Sequence, residues 1–293
     1  KDQQEACSTL SQFSNEDLLL FYTALQEDQS ILPSSCRQRL TQKLTHYLKE
    51  QKNLQITSTL SQFSTIPSPQ LLQNSFTKTR VELVPTHGGP VFWYGEKGNL
   101  KHKEIALTFD DGPHSTLTLE LLNILKQHNV QATFFVLGKN VNRYPHILQR
   151  IEREGHTVAN HTYNHKNLPK YSTQFGEDEI HRGFTEIIDA IGNSSPFFRF
   201  PYGAKTKHLS RYLKNNDMPS FFWDVDTLDW KKKNPNTLLS YALDGVKNMQ
   251  RGIVLFHDIQ PQTIAMMDSF IATLKQEGYS FVVYQPDEWL NGY

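Results

Sequence analysis

Two adjacent carboxylates, Asp110 and Asp111, end an apolar run that begins at Ile105 and are followed at once by Gly112 and Pro113. This pattern predicts a buried strand that is stopped by a turn. Side chains alternate across a strand, but where a strand ends and the chain bends, neighbouring carboxylates can point at one place. Two anions so close are costly unless a cation or hydrogen bonds stabilise them, which makes the pair a candidate metal site. Asp-Asp-Gly-Pro is also favourable turn chemistry, so this segment alone leaves both interpretations open.

Two histidines, His161 and His165, follow a later apolar segment. If their segment is helical, the spacing places both imidazoles on one face, where they can bind one ion. Two neutral imidazoles and one carboxylate suit zinc and leave open positions for water. With Asp111 the pair therefore supplies a full set of protein ligands, although the spacing by itself is also typical of a capped turn with solvated histidines.

Three further segments place ionisable residues after apolar runs: Arg199-Phe200-Pro201-Tyr202-Gly203, Asp226-Thr227-Leu228-Asp229-Trp230 and Leu255-Phe256-His257-Asp258. An arginine beside a carboxylate holds it ionised and oriented, and a backbone N–H in the turn after Arg199 is a candidate oxyanion donor. Taken alone, each segment is as well explained by a surface arginine, a packing tyrosine or a structural histidine. A whole series of strand ends with ionisable residues is not expected from composition alone.

The elements that must position these residues alternate in type from about residue 103 onward. Apolar strand candidates are separated by amphipathic helix candidates, one of which runs from about residue 174 to 191 and ends at Gly192, a favourable C-cap. Such alternation predicts a parallel sheet, open or closed into a barrel, with functional residues at the C-terminal ends of its strands. The strand candidates lie at 104–109, 132–137, 156–160, 197–200, 220–225, 252–256 and 280–284.

The chain has 293 residues, which predicts one large domain and a smaller one. Residues 1–85 show helical periodicity and predict a small helical N-terminal domain, followed by a linker or entry segment at 86–102 and the strand-and-helix domain at 103–293. The two cysteines, Cys7 and Cys36, predict a disulfide that joins two helices in an oxidising compartment, because a small helical segment has little core of its own. A pair of ordinary thiols is the alternative.

Charge and hydropathy argue against several classes of protein. Thirty basic and thirty acidic residues give a net charge of zero, which argues against a general affinity for nucleic acid or anionic membranes. No apolar stretch approaches the length needed to cross a bilayer. The N-terminus lacks a charged region followed by an apolar core, but the sequence starts at Lys1, so a removed export signal would leave no trace.

Taken together and in order, the segments resemble the five sequence motifs of the polysaccharide deacetylases of carbohydrate esterase family 4, the NodB-homology domain. The resemblance covers about residues 103–290 and implies a distorted (β/α) barrel of about seven parallel strands, preceded here by the helical N-terminal domain. It also implies a divalent metal, most often zinc, with cobalt, nickel or manganese as alternatives. The matching segments are Thr108-Phe109-Asp110-Asp111-Gly112-Pro113, His161-Thr162-Tyr163-Asn164-His165, Arg199-Phe200-Pro201-Tyr202, Asp226-Thr227-Leu228-Asp229-Trp230 and Leu255-Phe256-His257.

Carried over residue by residue, the resemblance implies a role for each reacting group. Asp110 matches the general base, and Arg199 matches the residue that orients it. The metal ligands are implied to be Asp111, His161 and His165. The general acid is implied to be His257, tuned by Asp229, and the backbone N–H of Tyr202 is implied to face the oxyanion. The walls of the acetyl pocket are implied to be Trp230, Leu255 and Pro201.

Two residues depart from the pattern of the family. Lys166 follows the second histidine where the family often has proline, and Phe200 replaces a frequent proline in the third motif. Neither change removes a reacting group, so both bear on the rim of the groove and on substrate preference rather than on activity.

The function implied by the resemblance is removal of N-acetyl groups from a cell-wall glycan, with peptidoglycan N-acetylglucosamine as the first expectation. Chitin oligomers or acetylated xylan are alternative substrates, and a non-catalytic glycan-binding envelope protein is the alternative from another class. We expect an acetylated polysaccharide as the partner, no nucleic acid, no transmembrane span, a monomer, and export to the periplasm, the cell envelope or the medium.

Overall fold

The computed structural model describes residues 79–84 and 100–286. Within these ranges the chain forms seven strands, paired in parallel throughout, and the helices follow them in alternation. The strands are β1 Arg80–Val84, β2 Glu104–Asp110, β3 Thr133–Val136, β4 Thr157–Asn160, β5 Val225–Asp226, β6 Gly252–His257 and β7 Ser280–Pro286. The α-helices are α1 Leu117–Gln127, α2 Gly138–Arg143, α3 Pro145–Arg153, α4 Thr173–Ile191, α5 Lys207–Asn215, α6 Pro235–Met249 and α7 Pro261–Gln276, with 3₁₀ turns at Leu168–Lys170 and Pro201–Gly203. The predicted α/β class with parallel strands is confirmed.

Strand β2 lies at the centre of the sheet. It pairs with β6 along almost its whole length, with β7 at its start and with β3 at its end. β3 pairs onward with β4, β7 with β1, and β6 with β5. Two single bridges complete the wall, one from Asn160 to Phe198 and one from Phe198 to Ser220. The strands therefore close on themselves through a seam of isolated bridges, which agrees with a distorted barrel.

Two of the predicted strands, at 197–200 and 220–225, are reduced at this seam. Only isolated bridges form there, and the second segment becomes a regular strand only at β5. The side chain of Arg199 crosses the seam: its Nε donates to the carbonyl of Phe221 at 3.3 Å and its Nη2 to the carbonyl of Phe222 at 3.1 Å. A side chain thus makes part of the hydrogen bonding that a regular ladder would make with backbone groups.

The described segment at 79–84 differs from its predicted structure. Arg80–Val84 was expected within a helical region but is a strand that pairs in register with β7. Val81 and Val84 favour extended backbone, and the edge of β7 supplies the hydrogen-bonding partner, so tertiary pairing overrides the local periodicity. The rest of the predicted helical domain, most of the predicted linker at 86–102 and the predicted Cys7–Cys36 disulfide lie outside the described residues.

The two faces of β2 belong to different cores. One face joins the apolar cluster that includes the buried sides of the helices, through Ile105, Leu107 and Phe109. The other face carries Ala106 in a cluster built from strand residues, inside the barrel. Because side chains alternate along a strand, Thr108 and Asp110 continue the Ala106 face. The barrel interior therefore changes from apolar to polar towards the C-terminal ends of the strands.

Helix α4, the longest in the described ranges, begins and ends with the caps that its sequence supplies. In α4 the Ser172 side chain accepts a hydrogen bond from the Phe175 N–H at 3.3 Å, and Gly192 follows the helix with φ 80°. The predicted end of this helix at Gly192 is confirmed. Among the helices in the described ranges, none combines the length and the apolar character that a membrane span requires.

His156, just before β4, makes the stability of the barrel depend on pH. It is buried, its Nδ1 accepts a hydrogen bond from the Ala132 N–H at 3.1 Å, and burial lowers its pKa to about 4. A histidine with a depressed folded-state pKa contributes stability that is present above its unfolded pKa of about 6.5 and lost as the pH falls towards the folded value. We expect the free energy of unfolding to fall by about 2 kcal/mol between pH 7 and pH 5 from this residue alone.

Urea unfolding at both pH values measures this effect. His156→Gln should flatten the pH dependence, whereas the same substitution at exposed His146 is the matched control and should leave it unchanged. An unaltered slope in the His156 variant would contradict the assignment.

Candidate active site

The ionisable segments meet at the C-terminal ends of the strands, around a cavity of about 480 Å³. β2 and the turn after it supply the two carboxylates, the loop after β4 supplies two histidines, and the ends of β5 and β6 supply the remaining polar groups. The candidate residues therefore gather at this end of the barrel, which is the end that carries the functional residues in folds of this kind. The cavity is lined by Asp110, Asp111, His161, His165, Phe200, Tyr202, Trp223, Asp226, Trp230, Leu255 and His257.

The two adjacent carboxylates separate because the chain turns between them. Asp110 is the last residue of β2 and points into the barrel, where it is 3% exposed. Asp111 has φ 76°, a left-handed conformation that takes it out of the strand. Its N–H donates to the Phe135 carbonyl at 3.2 Å, and its carbonyl accepts from Asn140 Nδ2 at 2.7 Å. The strained turn is therefore held by β3 and α2.

Asp111, His161 and His165 form a group with metal-ligand character. One ligand atom from each lies within 4.8 Å of the others, and Asp111 Oδ1 is 3.3 Å from His165 Nε2 and 3.8 Å from His161 Nε2. Within the described part of the chain, Asp111 Oδ1 is also buried without a hydrogen-bond partner. An orphaned buried carboxylate oxygen beside two imidazole nitrogens fits a divalent cation, because a cation supplies the missing partner and suits this donor set.

The protonation of His161 supports the same interpretation. Its Nδ1 is 2.7 Å from the Arg199 carbonyl, which can only accept, so Nδ1 carries the proton and the Nε2 lone pair faces the carboxylates. Burial lowers the pKa of His161 to about 3. The imidazole is therefore neutral near pH 7, as a metal ligand must be.

The segment that carries the two histidines is not helical. The two imidazoles therefore do not share a helical face, as the spacing had suggested. Thr162 and His165 have φ 72° and 59°, and the segment forms an irregular loop. Local polar bonds fix it: Asn160 Oδ1 accepts from the Thr162 N–H at 2.9 Å, and Thr162 Oγ1 accepts from the His165 N–H at 3.1 Å. Side-chain capping of this kind competes successfully with a helical turn. The loop still brings the two Nε2 atoms to Asp111.

Glu179 on α4 is a supporting residue that sequence reasoning missed. It is buried, its Oε2 accepts from the Asn164 N–H at 2.8 Å, and its Oε1 accepts from Asn164 Nδ2 at 3.1 Å. Its carbonyl also accepts from the Tyr163 N–H at 3.0 Å. The sequence did contain a signal for this residue. Helical spacing places Glu179 on the buried face of α4, with Ile180 and Gly183, where a charged residue is unusual.

Arg199 and Asp110 form a buried ion pair inside the barrel. Arg199 Nη1 donates to Asp110 Oδ1 at 2.7 Å and to Thr108 Oγ1 at 2.8 Å, and the guanidinium lies 4.0 Å from the centre of the Phe135 ring. Burial raises the pKa of Asp110, and the charge and hydrogen bond of Arg199 oppose that shift. Asp110 Oδ2 is 3.6 Å from His161 Nε2, so the carboxylate borders the metal-ligand group.

His257, which lines the cavity, forms a second pair with Asp229. His257 Nδ1 donates to Asp229 Oδ1 at 2.7 Å, and Asp229 Oδ2 accepts from the His257 N–H and from Thr263 Oγ1, both at 2.7 Å. Burial lowers the pKa of His257, but the hydrogen bond and charge of Asp229 outweigh it and raise the pKa to about 9. His257 Nε2 lies 4.0 Å from Asp111 Oδ2, so a cationic imidazole faces the metal-ligand group.

The walls of the cavity are aromatic. Trp230 and Tyr202 line it and remain 51% and 65% exposed, and the Tyr202 ring lies 4.6 Å from the His165 ring. Leu255 also lines the cavity, as expected. Pro201 does not: it is buried in the 3₁₀ turn, and its neighbours Phe200 and Tyr202 face the cavity instead. Trp223 and Asp226 also line the cavity.

Backbone strain concentrates around this cavity. In the described ranges nine residues other than glycine have positive φ, and five of them lie in the segments that surround the cavity: Asp111, Thr162, His165, Tyr202 and Leu228. Such conformations persist only where the surrounding structure enforces them, and they cluster at functional sites.

Comparisons with known proteins identify relatives of this barrel. A family model described as polysaccharide deacetylase matches residues 97–221. A peptidoglycan-N-acetylglucosamine deacetylase from Listeria monocytogenes is 41% identical over 181 residues, which cover 62% of this chain and 38% of that protein. One from Bacillus cereus is 36% identical over 195 residues, which cover 64% of this chain and 70% of that protein. The chain thus spans well under half of the Listeria relative and over two thirds of the Bacillus relative.

A solved structure extends the similarity over nearly the whole chain. It is a peptidoglycan deacetylase from Bdellovibrio bacteriovorus, with a TM-score of 0.65 and 30% sequence identity. The match covers 98% of this chain and 81% of that one.

Proposed function

The chain belongs to the polysaccharide deacetylase family, and on that premise we propose that it is a metal-dependent hydrolase that removes N-acetyl groups from a cell-wall glycan. The observation that carries the proposal is the presence of two acid–base units, Asp110 with Arg199 and His257 with Asp229, next to one metal-ligand group. Amide hydrolysis needs one group that takes a proton and another that gives one. The named relatives favour N-acetylglucosamine of peptidoglycan as the sugar.

Asp111, His161 and His165 would hold the cation, which we propose to be zinc because two neutral imidazoles and a carboxylate suit it. When bound, such an ion acts as a Lewis acid towards the acetyl carbonyl and lowers the pKa of water. The proposed substrate also implies export, since a cell-wall glycan lies outside the cytoplasm.

Asp110 is the proposed general base. It borders the metal-ligand group, and Arg199 engages only its Oδ1, which leaves Oδ2 to accept a proton from the attacking water. The Arg199 guanidinium opposes the effect of burial and favours the ionised form that a base requires. The backbone N–H of Tyr202, in the strained turn beside the cavity, is the proposed donor to the oxyanion.

His257 is the proposed general acid. An amine leaves badly as an anion, so it must be protonated as the carbon–nitrogen bond breaks. Asp229 fixes the Nδ1 side of the ring and keeps the imidazole cationic, so the Nε2 proton faces the cavity. The products would be acetate and a free amino sugar.

Acetate release tests the proposal. We expect release from peptidoglycan, abolition by a chelator and recovery on adding zinc. Chitin oligomers and acetylated xylan are the comparison substrates: faster release from either would replace peptidoglycan as the substrate. No metal-dependent release from any acetylated glycan would contradict the proposed activity itself.

Replacing Asp229 with asparagine should shift the alkaline limb of the pH profile. His257 acts as an acid only while it is protonated, so activity is lost as the pH rises through its pKa, which Asp229 raises to about 9. Without the anion that pKa falls, and the limb of kcat/KM should move down by about one pH unit or more. Thr263→Val is the matched control, because it removes a hydrogen bond to Asp229 but leaves its charge. Equal shifts in both variants would argue against an electrostatic role.

A further inference from the structure

Asp258 is a fully buried carboxyl group that the proposed chemistry leaves without a role. It follows His257 at the end of β6, and its side chain is 0% exposed. Its Oδ2 accepts a hydrogen bond from Thr118 Oγ1 at 2.5 Å, whereas its Oδ1 is buried with no hydrogen-bond partner in the described ranges. An unpaired buried oxygen is costly, so the position demands an explanation beyond packing.

The Asp258 carboxyl group fills the space against Gly112. A Cβ atom added to Gly112 would lie 2.1 Å from Asp258 Oδ2 and 2.5 Å from Oδ1, far inside contact distance. Gly112 directly follows Asp111, the proposed metal ligand with the left-handed backbone. The carboxyl group therefore packs directly against the turn that carries the proposed metal ligand Asp111.

The opposite side of this turn is held by other elements. The Gly112 carbonyl accepts from the Leu137 N–H at 3.0 Å, and the Asp111 backbone is bonded to β3 and α2. On the Asp258 side, Thr118 Oγ1 also accepts from the His114 N–H at 2.8 Å, which ties the segment after the turn to α1. Asp258 and Thr118 thus close the side of the turn that faces β6.

We propose that Asp258 is a positioning residue for the metal site, holding the turn of Asp111 at a fixed separation from β6 and from the acid His257. The inference rests on the proposed function, because it takes Asp111 as a metal ligand. Asp111 Oδ2 and His257 Nε2 are 4.0 Å apart. The pairing of β2 with β6 ends at Asp110 and His257, and beyond it the Asp258 carboxyl group lies against Gly112. Residues that orient ligands from outside the coordination shell typically contribute about 10–100-fold to metal affinity.

Zinc affinity of the folded full-length protein, measured by competition with a chromophoric chelator, tests the proposal. Asp258→Ala removes the contacts with Gly112 and Thr118 and should weaken zinc binding by about 10–100-fold. Asp258→Asn keeps the shape and can still accept the Thr118 hydroxyl, so it should restore most of the affinity. An asparagine variant as weak as the alanine variant would overturn positioning in favour of a charge effect.

Gly112→Ala probes the same contact from the other side, and its Cβ should displace the turn and weaken zinc binding. Combining it with Asp258→Ala makes room for the Cβ, so the double variant should bind zinc no more weakly than Asp258→Ala alone. If Asp258→Ala does not fold, the Gly112→Ala and Asp258→Asn measurements still decide the question.

Glu104→Gln is the matched control. Glu104 is another buried carboxyl, paired with Arg80 at the start of β2, far along the strand from Asp110. Its replacement should lower stability without changing zinc affinity. Asp258→Ala and Gly112→Ala could also leave zinc affinity unchanged and lower only the stability of the metal-free protein. That result would overturn the proposal and show that Asp258 only contributes to packing. Failure of acetate release would overturn the proposed function and leave these zinc measurements intact.

Discussion

Replacing Asp110 with asparagine is expected to lower kcat by about 10²–10⁴-fold, the usual contribution of a general base, while zinc still binds. Asparagine matches the shape of the carboxylate and can keep an oxygen towards Arg199 Nη1, which is 2.7 Å away in the native protein. It cannot take a proton from water. The loss should therefore appear in turnover and leave the fold and the metal-ligand group unchanged.

Single-turnover acetate release with saturating zinc measures this loss directly. Asp226→Asn is the matched control, since Asp226 is a carboxylate that lines the same cavity, is only partly buried and accepts the Leu228 N–H at 2.9 Å. Its replacement should change kcat much less than the Asp110 variant does. Comparable losses in the two variants would assign the proton to neither residue and remove Asp110 from the mechanism.

Replacing Arg199 with methionine is expected to lower the free energy of unfolding by about 3–5 kcal/mol, the typical cost of breaking a buried ion pair by removing one partner. Arg199 is 0% exposed, and its loss leaves the Asp110 carboxylate without its counter-charge inside the barrel. The carbonyls of Phe221 and Phe222 also lose the hydrogen bonds that Arg199 donates.

Urea denaturation in the presence of a chelator isolates this effect from metal binding. Adding Asp110→Asn to the Arg199→Met variant removes the stranded charge and should recover part of the lost stability, although the seam carbonyls remain unpaired. Lys247→Met is the control: Lys247 pairs with Glu277, and their side chains are 39% and 37% exposed, so its removal should cost far less. A double variant no more stable than Arg199→Met would show that the seam, and not the charge, accounts for the loss.

The order of the motifs predicted which residues would meet, because the C-terminal ends of parallel strands share one edge. Asp110, Asp111, His161, His165 and His257 do line one cavity. The sequence did not predict that Asp110 would be buried against Arg199 while Asp111 joins the two histidines. This difference depends on the left-handed backbone of Asp111 and on partners from distant elements.

The predictions that the structure corrects have one cause in common, which is contact with residues distant in the sequence. The loop of His161 takes its shape from Glu179, which lies on another element, so the local spacing could suggest a helix but not exclude a loop. Strand β1 exists because β7 offers an edge. Beside the isolated bridges of Phe198, the Arg199 side chain donates to the Phe222 carbonyl. In each case a partner far away in the sequence outweighed a local propensity.

The residues with left-handed backbone around the cavity lower the stability of the barrel and at the same time hold the reacting groups in place. A residue other than glycine in this conformation is destabilised by about 1 kcal/mol or more, so replacing Leu228, which is only half-buried, with glycine relieves a cost that the native barrel carries. Efforts to make this protein more heat-resistant would therefore find some of their easiest gains at the rim of the cavity. Those are also the positions where a relaxed backbone would let the reacting groups drift, so thermal tolerance selected there would be accompanied by slower catalysis.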